Sequence, residues 1–262
     1  MRHSMLVLGL TAISLLPAQV HGQRTADQAR LMFSVGLGQL SGGGSLWSVD
    51  QQPFLDSSTA NTLSVSRHFR RNLVIVMSGT YFPGRNLGLN VEAQLIGLGT
   101  EDQCAVQTQP SLQLARDVCS SINRAERTAT SAAVSAGAFY RLASHQVIHP
   151  YARANVGLIA TQHSFLRTSG IERRGSTVEL YFDDKSTSVQ PYVSLGGGVV
   201  AVVGGGFQFR FELRDNYTRV PAVSGPTSRQ GLKPPSESVG KHLLSFIVAF
   251  DVVLERKRGR RY

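Results

Sequence analysis

Nine residues, FQFRFELRD, restrict this chain more than any other stretch. Phe207, Phe209, Phe211 and Leu213 alternate with Gln208, Arg210, Glu212 and Arg214. Side chains along a β-strand point alternately to opposite faces, so one side of this ribbon is apolar and the other is charged. Two architectures accommodate it. A soluble sandwich turns the apolar side to its core and the charged side to water. A membrane barrel turns the apolar side to lipid and the polar side to its lumen.

The pattern recurs. Eight stretches alternate in polarity: Ala29 to Leu40, Asn72 to Phe82, Leu87 to Leu95, Ser131 to Leu142, Pro150 to Ala160, Pro191 to Val203, Phe207 to Asp215, and His242 to Leu254. Each is near the roughly 9–11 residues that carry a tilted strand across hydrocarbon. TLSVSRHF (Thr62 to Phe69) reads as a water-exposed extension of the second strand. SLWSVDQQPFLDSSTA, after the first strand, reads as a polar loop. The segment holding both cysteines shows no period and reads as a large loop. Connections after strands one, three, five and seven are long, and those after two, four and six are short. A sandwich does not require that alternation, whereas a membrane barrel has short turns on one rim and long loops on the other. The expected fold is all-β: an eight-stranded antiparallel up-and-down transmembrane β-barrel with short periplasmic turns and long extracellular loops.

Register can be read from GGG at Gly204 to Gly206. Taken as a turn that pairs Val203 with Phe207, it sets Gly198 opposite Glu212, Gly196 opposite Arg214, and Val199 opposite Phe211. A similar register for the last hairpin brings Arg210 near Asp251. The lumen charges are then Glu92, Arg153, Arg210, Glu212, Arg214 and Asp251. Isolated buried charge is costly, so these are expected to pair. The lipid-facing set comprises Phe207, Phe209, Phe211, Leu213, Leu244, Phe246, Val248 and Phe250. Phe33, Tyr81, Tyr140, Phe207 and Phe250 fall at the inner ends of their strands, where an interfacial girdle belongs.

The N-terminus bears on where such a barrel is built. Met5 to Leu16 is uncharged, follows Arg2, and is too short to span a bilayer. It reads as a signal peptide over 1–22, cleaved before Gln23. One barrel domain, 23–262, follows, with a basic tail at 255–262. Export to an oxidising compartment makes Cys104 and Cys119 a disulfide, which for a loop of this size contributes about 3 kcal/mol. The formal net charge is +10, much of it in ERKRGRRY at the end. An exported protein rarely meets nucleic acid, so no nucleic-acid partner is expected; the tail reads either as a merely solvated end or as one lying near anionic lipid headgroups or cell wall.

With this leader and an apolar, aromatic last strand, PYVSLGGGV…GGFQFRFELRD resembles the small bacterial outer-membrane β-barrels of OmpA and OmpX type. The resemblance covers most of the exported chain. It implies the cell outer membrane of a diderm bacterium, contact with outer-membrane lipid and lipopolysaccharide, and delivery by periplasmic chaperones to the barrel-assembly machinery. Members of this class usually end in an aromatic residue. Tyr262 is aromatic, but the basic tail separates it from the strand, so Phe246, Phe250 and Leu254 are alternative recognition points. The separate peptidoglycan-binding domain of the OmpA family is not expected. The implied role is non-enzymatic: structural, or presenting loops to an unidentified surface ligand.

Two alternatives compete. Some small barrels modify lipids through a rim histidine with a serine or an acid. Of His68, His145, His149, His163 and His242, the candidate is His163, which adjoins Ser164 just above the fifth strand, with Glu172, Asp183 and Asp184 in the same loop. Neighbouring side chains in a strand point apart, and no catalytic signature surrounds the pair, so no catalytic residue is assigned. The other alternative is a small-solute pore, yet eight strands leave a lumen that side chains can fill. GGGVVAVVGGG lacks the lysine of a phosphate loop, and no His, Cys or Asp spacing suits a metal, so no cofactor is expected.

Overall fold

The computed structural model describes residues 29–256, apart from 43, 57–58, 109–112, 145 and 186. The leader and its cleavage point, His145 and the tail through Tyr262 lie outside the described residues. In chain order the elements are β1 (Ala29–Leu40), β2 (Ser45–Asp56), β3 (Thr59–Phe69), β4 (Asn72–Tyr81), β5 (Leu87–Gly97), β6 (Thr100–Val106), α1 (Gln113–Arg124), β7 (Glu126–Arg127), β8 (Thr130–Arg141), β9 (Ile148–Thr161), β10 (Thr168–Ile171), β11 (Thr177–Tyr181), β12 (Ser188–Gly204), β13 (Phe207–Val223) and β14 (Ser236–Arg256).

Eight of these close into a barrel in the order β1-β14-β13-β12-β9-β8-β5-β4, with β4 returning to β1. Every wall pair is antiparallel, which is the up-and-down arrangement that the alternating loop lengths require. Burial alternates along each wall strand, as the pleat dictates: β4 reads exposed at Leu73, Ile75 and Met77 and buried at Val74, Val76 and Ser78. The wall is inverted relative to a soluble core. Its outward residues are large, apolar and exposed, among them all eight of Phe207, Phe209, Phe211, Leu213, Leu244, Phe246, Val248 and Phe250.

One rim carries the short connections and the two ends of the described chain, where Ala29 pairs with Arg256. We call it the turn end. The other rim carries β2, β3, β6, β7, α1, β10 and β11. We call it the cap end.

The last two wall hairpins follow the sequence register, with one correction. Gly196 faces Arg214, Gly198 faces Glu212 and Val199 faces Phe211, but the closing pair is Gly204 with Phe207, not Val203 with Phe207. A register irregularity between Val202 and Gly204 absorbs the extra residue. Gly204, Gly205 and Gly206 all have positive φ, a conformation that a residue with a Cβ adopts only under strain.

The loop readings need larger corrections. Thr62 to Phe69 does not extend the second wall strand. It belongs to β3, which pairs with β2 and β6 in a separate four-stranded sheet. It is not water-exposed either: Leu63, Val65 and Phe69 are buried. The inward parity is odd in β3 and even in β4, and the switch at Arg70–Arg71 marks the change of sheet. SLWSVDQQPFLD is β2, and the supposed cysteine loop contains β6 and α1. The third long loop folds into a β10–β11 hairpin.

Candidate functional site

The lumen is filled in strata. At the turn end Met32, Phe82, Phe139, Tyr151 and Val200 form an apolar plug, with Phe139 stacked on Tyr151 at 4.5 Å. At the cap end a larger apolar cluster runs from the wall (Leu40, Val74, Val76, Ile96, Ile159, Ile247) into the cap (Trp47, Phe54, Phe165, Leu180). Between them lie the charges.

The ionic layer is built on two carboxylates. Glu92 accepts from Arg214 at 2.8 and 3.1 Å and from Arg153 at 2.5 Å, and Gln94 donates to it as well. Glu212 accepts from Arg214 Nε at 2.6 Å and from Tyr151 Oη at 2.7 Å. Arg153 Nη1 is 3.5 Å and Arg210 Nε 3.9 Å from the same carboxylate. Arg210 also lies 3.6 Å from Asp251. All six charges are therefore in the lumen and fully enclosed. Gly196 makes room for them: a Cβ there would come within 2.6 Å of Glu212 Oε1 and 3.3 Å of Arg153 Cγ. Arg141, absent from the sequence reading, is a further buried cation. Its guanidinium lies 3.3 Å from the centre of the Phe82 ring, and its alternation within β8 is the signal that places it inward.

The cap is one locked body. Arg67 forms a two-pronged bond to Asp102, at 2.5 and 2.7 Å, and also donates to the backbone oxygens of Phe165 and Arg167. The β2–β3–β6 sheet is thereby bound to the connection after β9. Trp47 Nε1 donates to the same Phe165 oxygen. The connection after β13 is bound through Gln230, whose amide both donates to and accepts from the backbone of Leu55 on β2. Asn123 of α1 does the same at Cys104 of β6. Each side chain imitates a neighbouring strand and blocks a sheet edge that could otherwise recruit another chain.

Cys104 is bonded to Cys119, which ties α1 to β6. Replacing both by serine is expected to cost the cap about 3 kcal/mol. Urea titration followed by fluorescence of Trp47, the single tryptophan, measures this. The barrel wall, which the bond does not touch, should keep its denaturation midpoint.

The rim pair His163 and Ser164 does not form a relay. Ser164 Oγ donates to Asp183 at 2.5 Å and accepts from the backbone N–H of Leu166 and Arg167. That is a turn-stabilising arrangement. The His163 ring packs on Phe165 at 4.3 Å, and neither ring nitrogen has a hydrogen-bond partner. Glu172 stands apart in the β10–β11 turn, bonded to the backbone of Ser176 and Gly175. Asp184 lies near Lys233.

Burial, followed by the charges of Arg67 and Arg127, holds the His163 pKa down to about 4. The unfolded cap then takes up a proton near pH 6.5 while the folded cap does not. Cap stability should be flat above neutrality and fall as pH drops from about 6.5 to about 4. The loss is roughly 2 kcal/mol once solvent screening of this partly exposed ring is allowed for. His163→Phe should remove that slope from urea midpoints measured across the window. An unchanged slope would assign it to other groups.

No family model matches the chain, and no curated protein matches it. Among solved structures, Neisserial surface protein A aligns over 86% of this chain and 97% of its own, with 11% identity and a TM-score of 0.42. Ail, the attachment invasion locus protein of Yersinia pestis, solved with the heparin analogue sucrose octasulfate, aligns over 86% and 98%, with 8% identity and a TM-score of 0.38. Outer membrane protein AlkL, solved in DMPC lipid bilayers, aligns over 94% and 99%, with 14% identity and a TM-score of 0.36. The architecture rests on this chain's own strand register: it is a closed, eight-stranded antiparallel barrel.

Proposed function

We propose that the chain is a non-conducting barrel of the bacterial outer membrane whose working part is the rigid cap, held at the cell surface. On this reading residues 1–22 are the removed leader and 23–262 the mature domain. The wall contacts outer-membrane lipid and lipopolysaccharide, and periplasmic chaperones and the barrel-assembly machinery bring it there. No nucleic acid or cofactor takes part.

The observation that supports it most is the outward belt. Apolar side chains are exposed on all eight wall strands, from Leu37 and Leu73 through Leu89, Val134, Val156 and Leu195 to Leu213 and Phe246. Water would leave such a continuous belt unpaired, whereas hydrocarbon would solvate it. The belt ends sharply at the cap end of β13 and β14. Leu213 and Leu244 are followed outward by Asp215, Tyr217 and His242, with Asp215 and His242 in contact at 2.7 Å. At the turn end it finishes with Tyr81, which accepts a hydrogen bond from Arg30. Phe33, Tyr140, Phe207 and Phe250 stand in the same half, in keeping with an interfacial girdle.

The two apolar strata and the ionic layer between them favour a closed lumen over a pore. The purified full chain in planar bilayers is expected to give no conductance steps, and steady openings would restore the pore reading. Presentation of the cap is tested separately. An epitope inserted after Gly175, in the β10–β11 turn, should be labelled on intact cells. Labelling only after lysis would place the cap on the other side.

A further inference from the structure

The barrel wall opens at the cap end between β12 and β13. Their ladder stops at Tyr192 opposite Thr218, although both strands continue toward the cap. Beyond that pair, Pro191 to Ser188 stay on β9, while Arg219 to Val223 stay on β14. The sequence supplies the reason. Extending the register would set Pro191 opposite Arg219 and Val189 opposite Pro221, and a proline has no N–H to give to a ladder. The Thr218 hydroxyl donates to the Pro191 oxygen at 3.0 Å and closes the foot of the split.

A cleft of about 190 Å³ lies in this split. It is lined by Gln190 on β12, Pro221 on β13 and Ser236 on β14, and by Lys185, Thr187 and Lys233 from the connections above. Prolines on both edges oppose an inserted peptide strand, which would pair through the missing N–H groups. The volume is below the roughly 300–1,000 Å³ of a pocket that takes a whole small ligand, so it suits one part of a larger molecule.

Charge indicates which part. Lys185 and Lys233 line the cleft, and Arg219 is exposed on the outward side of β13 beside it. The carboxylate in the lining, Asp183, is already engaged: it accepts from Ser164 Oγ at 2.5 Å and from the Lys185 backbone N–H at 3.4 Å. Lys233 stands 3.8 Å from Asp183 and 3.9 Å from the exposed Asp184, beyond hydrogen-bonding distance, so its ammonium can turn to another acceptor. Two ammonium groups with the hydroxyls of Thr187 and Ser236 suit an oxyanion that offers several acceptor oxygens. The other lip of the split is apolar. On β9 and β12 the outward belt climbs through Leu158 and its partner Pro191 to Val189, with Leu158 and Val189 58% and 60% exposed. A mouth that is cationic on one side and apolar on the other fits an amphiphile with an anionic head.

We propose that the split seats the phosphate headgroup of a lipid in the adjoining leaflet. The phosphate lies at Lys185, Lys233 and Arg219, and the acyl chains run down the wall past Leu158. This assignment rests on the reading that the apolar belt faces hydrocarbon.

The test is native mass spectrometry of the full chain in dodecyl maltoside, offered phosphatidic acid, phosphatidylcholine or inorganic phosphate in turn. Phosphatidic acid is expected to be retained in preference to the other two. Lys185→Gln combined with Lys233→Gln should weaken its retention about tenfold. Lys185→Arg combined with Lys233→Arg keeps both charges and should retain it. Equal retention of phosphatidylcholine would reduce the split to an apolar groove, and equal retention of inorganic phosphate would make it a free-anion site; either result overturns the proposal. Undiminished binding in the glutamine variant would overturn it too, by placing the lipid elsewhere. Insertion into phosphatidylcholine vesicles separates the two readings. A chain that inserts but does not prefer phosphatidic acid rejects the headgroup site and leaves the membrane barrel standing, whereas a chain that does not insert rejects both.

Discussion

Glu212→Leu is expected to destabilise the folded barrel by about 3–5 kcal/mol, the usual cost of breaking a buried ion pair from one side. The carboxylate is the shared acceptor of Arg214 Nε and Tyr151 Oη and the nearest counter-charge for two further guanidinium atoms, on Arg153 and Arg210. Without it Glu92 must balance Arg153 and Arg214 alone, in a lumen from which water is largely excluded. Glu212→Gln keeps most of the hydrogen bonds and loses the charge, so it should fall between the parent and the leucine variant. Removing one cation together with the anion, in Glu212→Leu with Arg210→Leu, should recover part of the loss. That recovery is the coupling a double-mutant cycle isolates. Heat-modifiable gel migration across a urea series reads the wall directly, whereas Trp47 reports on the cap. A leucine variant as stable as the parent would mean that the ionic layer contributes nothing to holding the wall together.

How much of this was legible beforehand differs sharply between wall and cap. The wall strands were readable because each outward residue has one requirement, to be apolar, and each inward residue another. Val199 opposite Phe211 and Arg210 beside Asp251 followed from counting residues away from a glycine turn. The closing pair was missed because a register irregularity at Val202 leaves no mark in polarity. The cap obeys different rules. The inward face of β6 carries Thr100, Asp102 and Cys104, so its buried side looks polar. Asp102 can be buried only because Arg67, distant in sequence, satisfies it. In β2 the alternation breaks at Gln51, which adopts a positive φ beside a register irregularity. The helix did leave a signal. Ala115, Val118, Cys119 and Ile122 recur at helical spacing in QLARDVCSSINR and are the residues α1 buries. The search for alternation in twos passed over it. At the rim, the adjacency of His163 and Ser164 suggested chemistry, but the hydroxyl's partners are a turn and an aspartate. Sequence adjacency carries no information about those partners.

Phe211→Arg should cost about 2–4 kcal/mol when the chain is folded in a bilayer, and the cost should depend on depth. Phe211 faces outward between Val199 and Val248, in the middle of the apolar belt. Tyr217 is the registered partner of His242, one outward step past Asp215. If the belt marks the hydrocarbon, Tyr217→Arg sits at headgroup height and should cost no more than about 1 kcal/mol. Leu213→Arg, at the belt's edge, should fall between them, because its long side chain can reach toward that polar ring. The three positions share one strand and one face and differ in height along the barrel axis. The gradient therefore separates a bilayer from a coat of protein and from bulk water. A wall covered by a second layer of protein would penalise arginine according to local packing, with no reason to rank the sites by height. A wall bathed in water would barely register any of them. The measurement is urea unfolding in lipid vesicles, read by gel migration. Equal losses at Phe211 and Tyr217 would remove the hydrocarbon from the outside of this barrel, and the lumenal assignment of Arg210, Glu212 and Asp251 would then need a reason other than lipid on the opposite face.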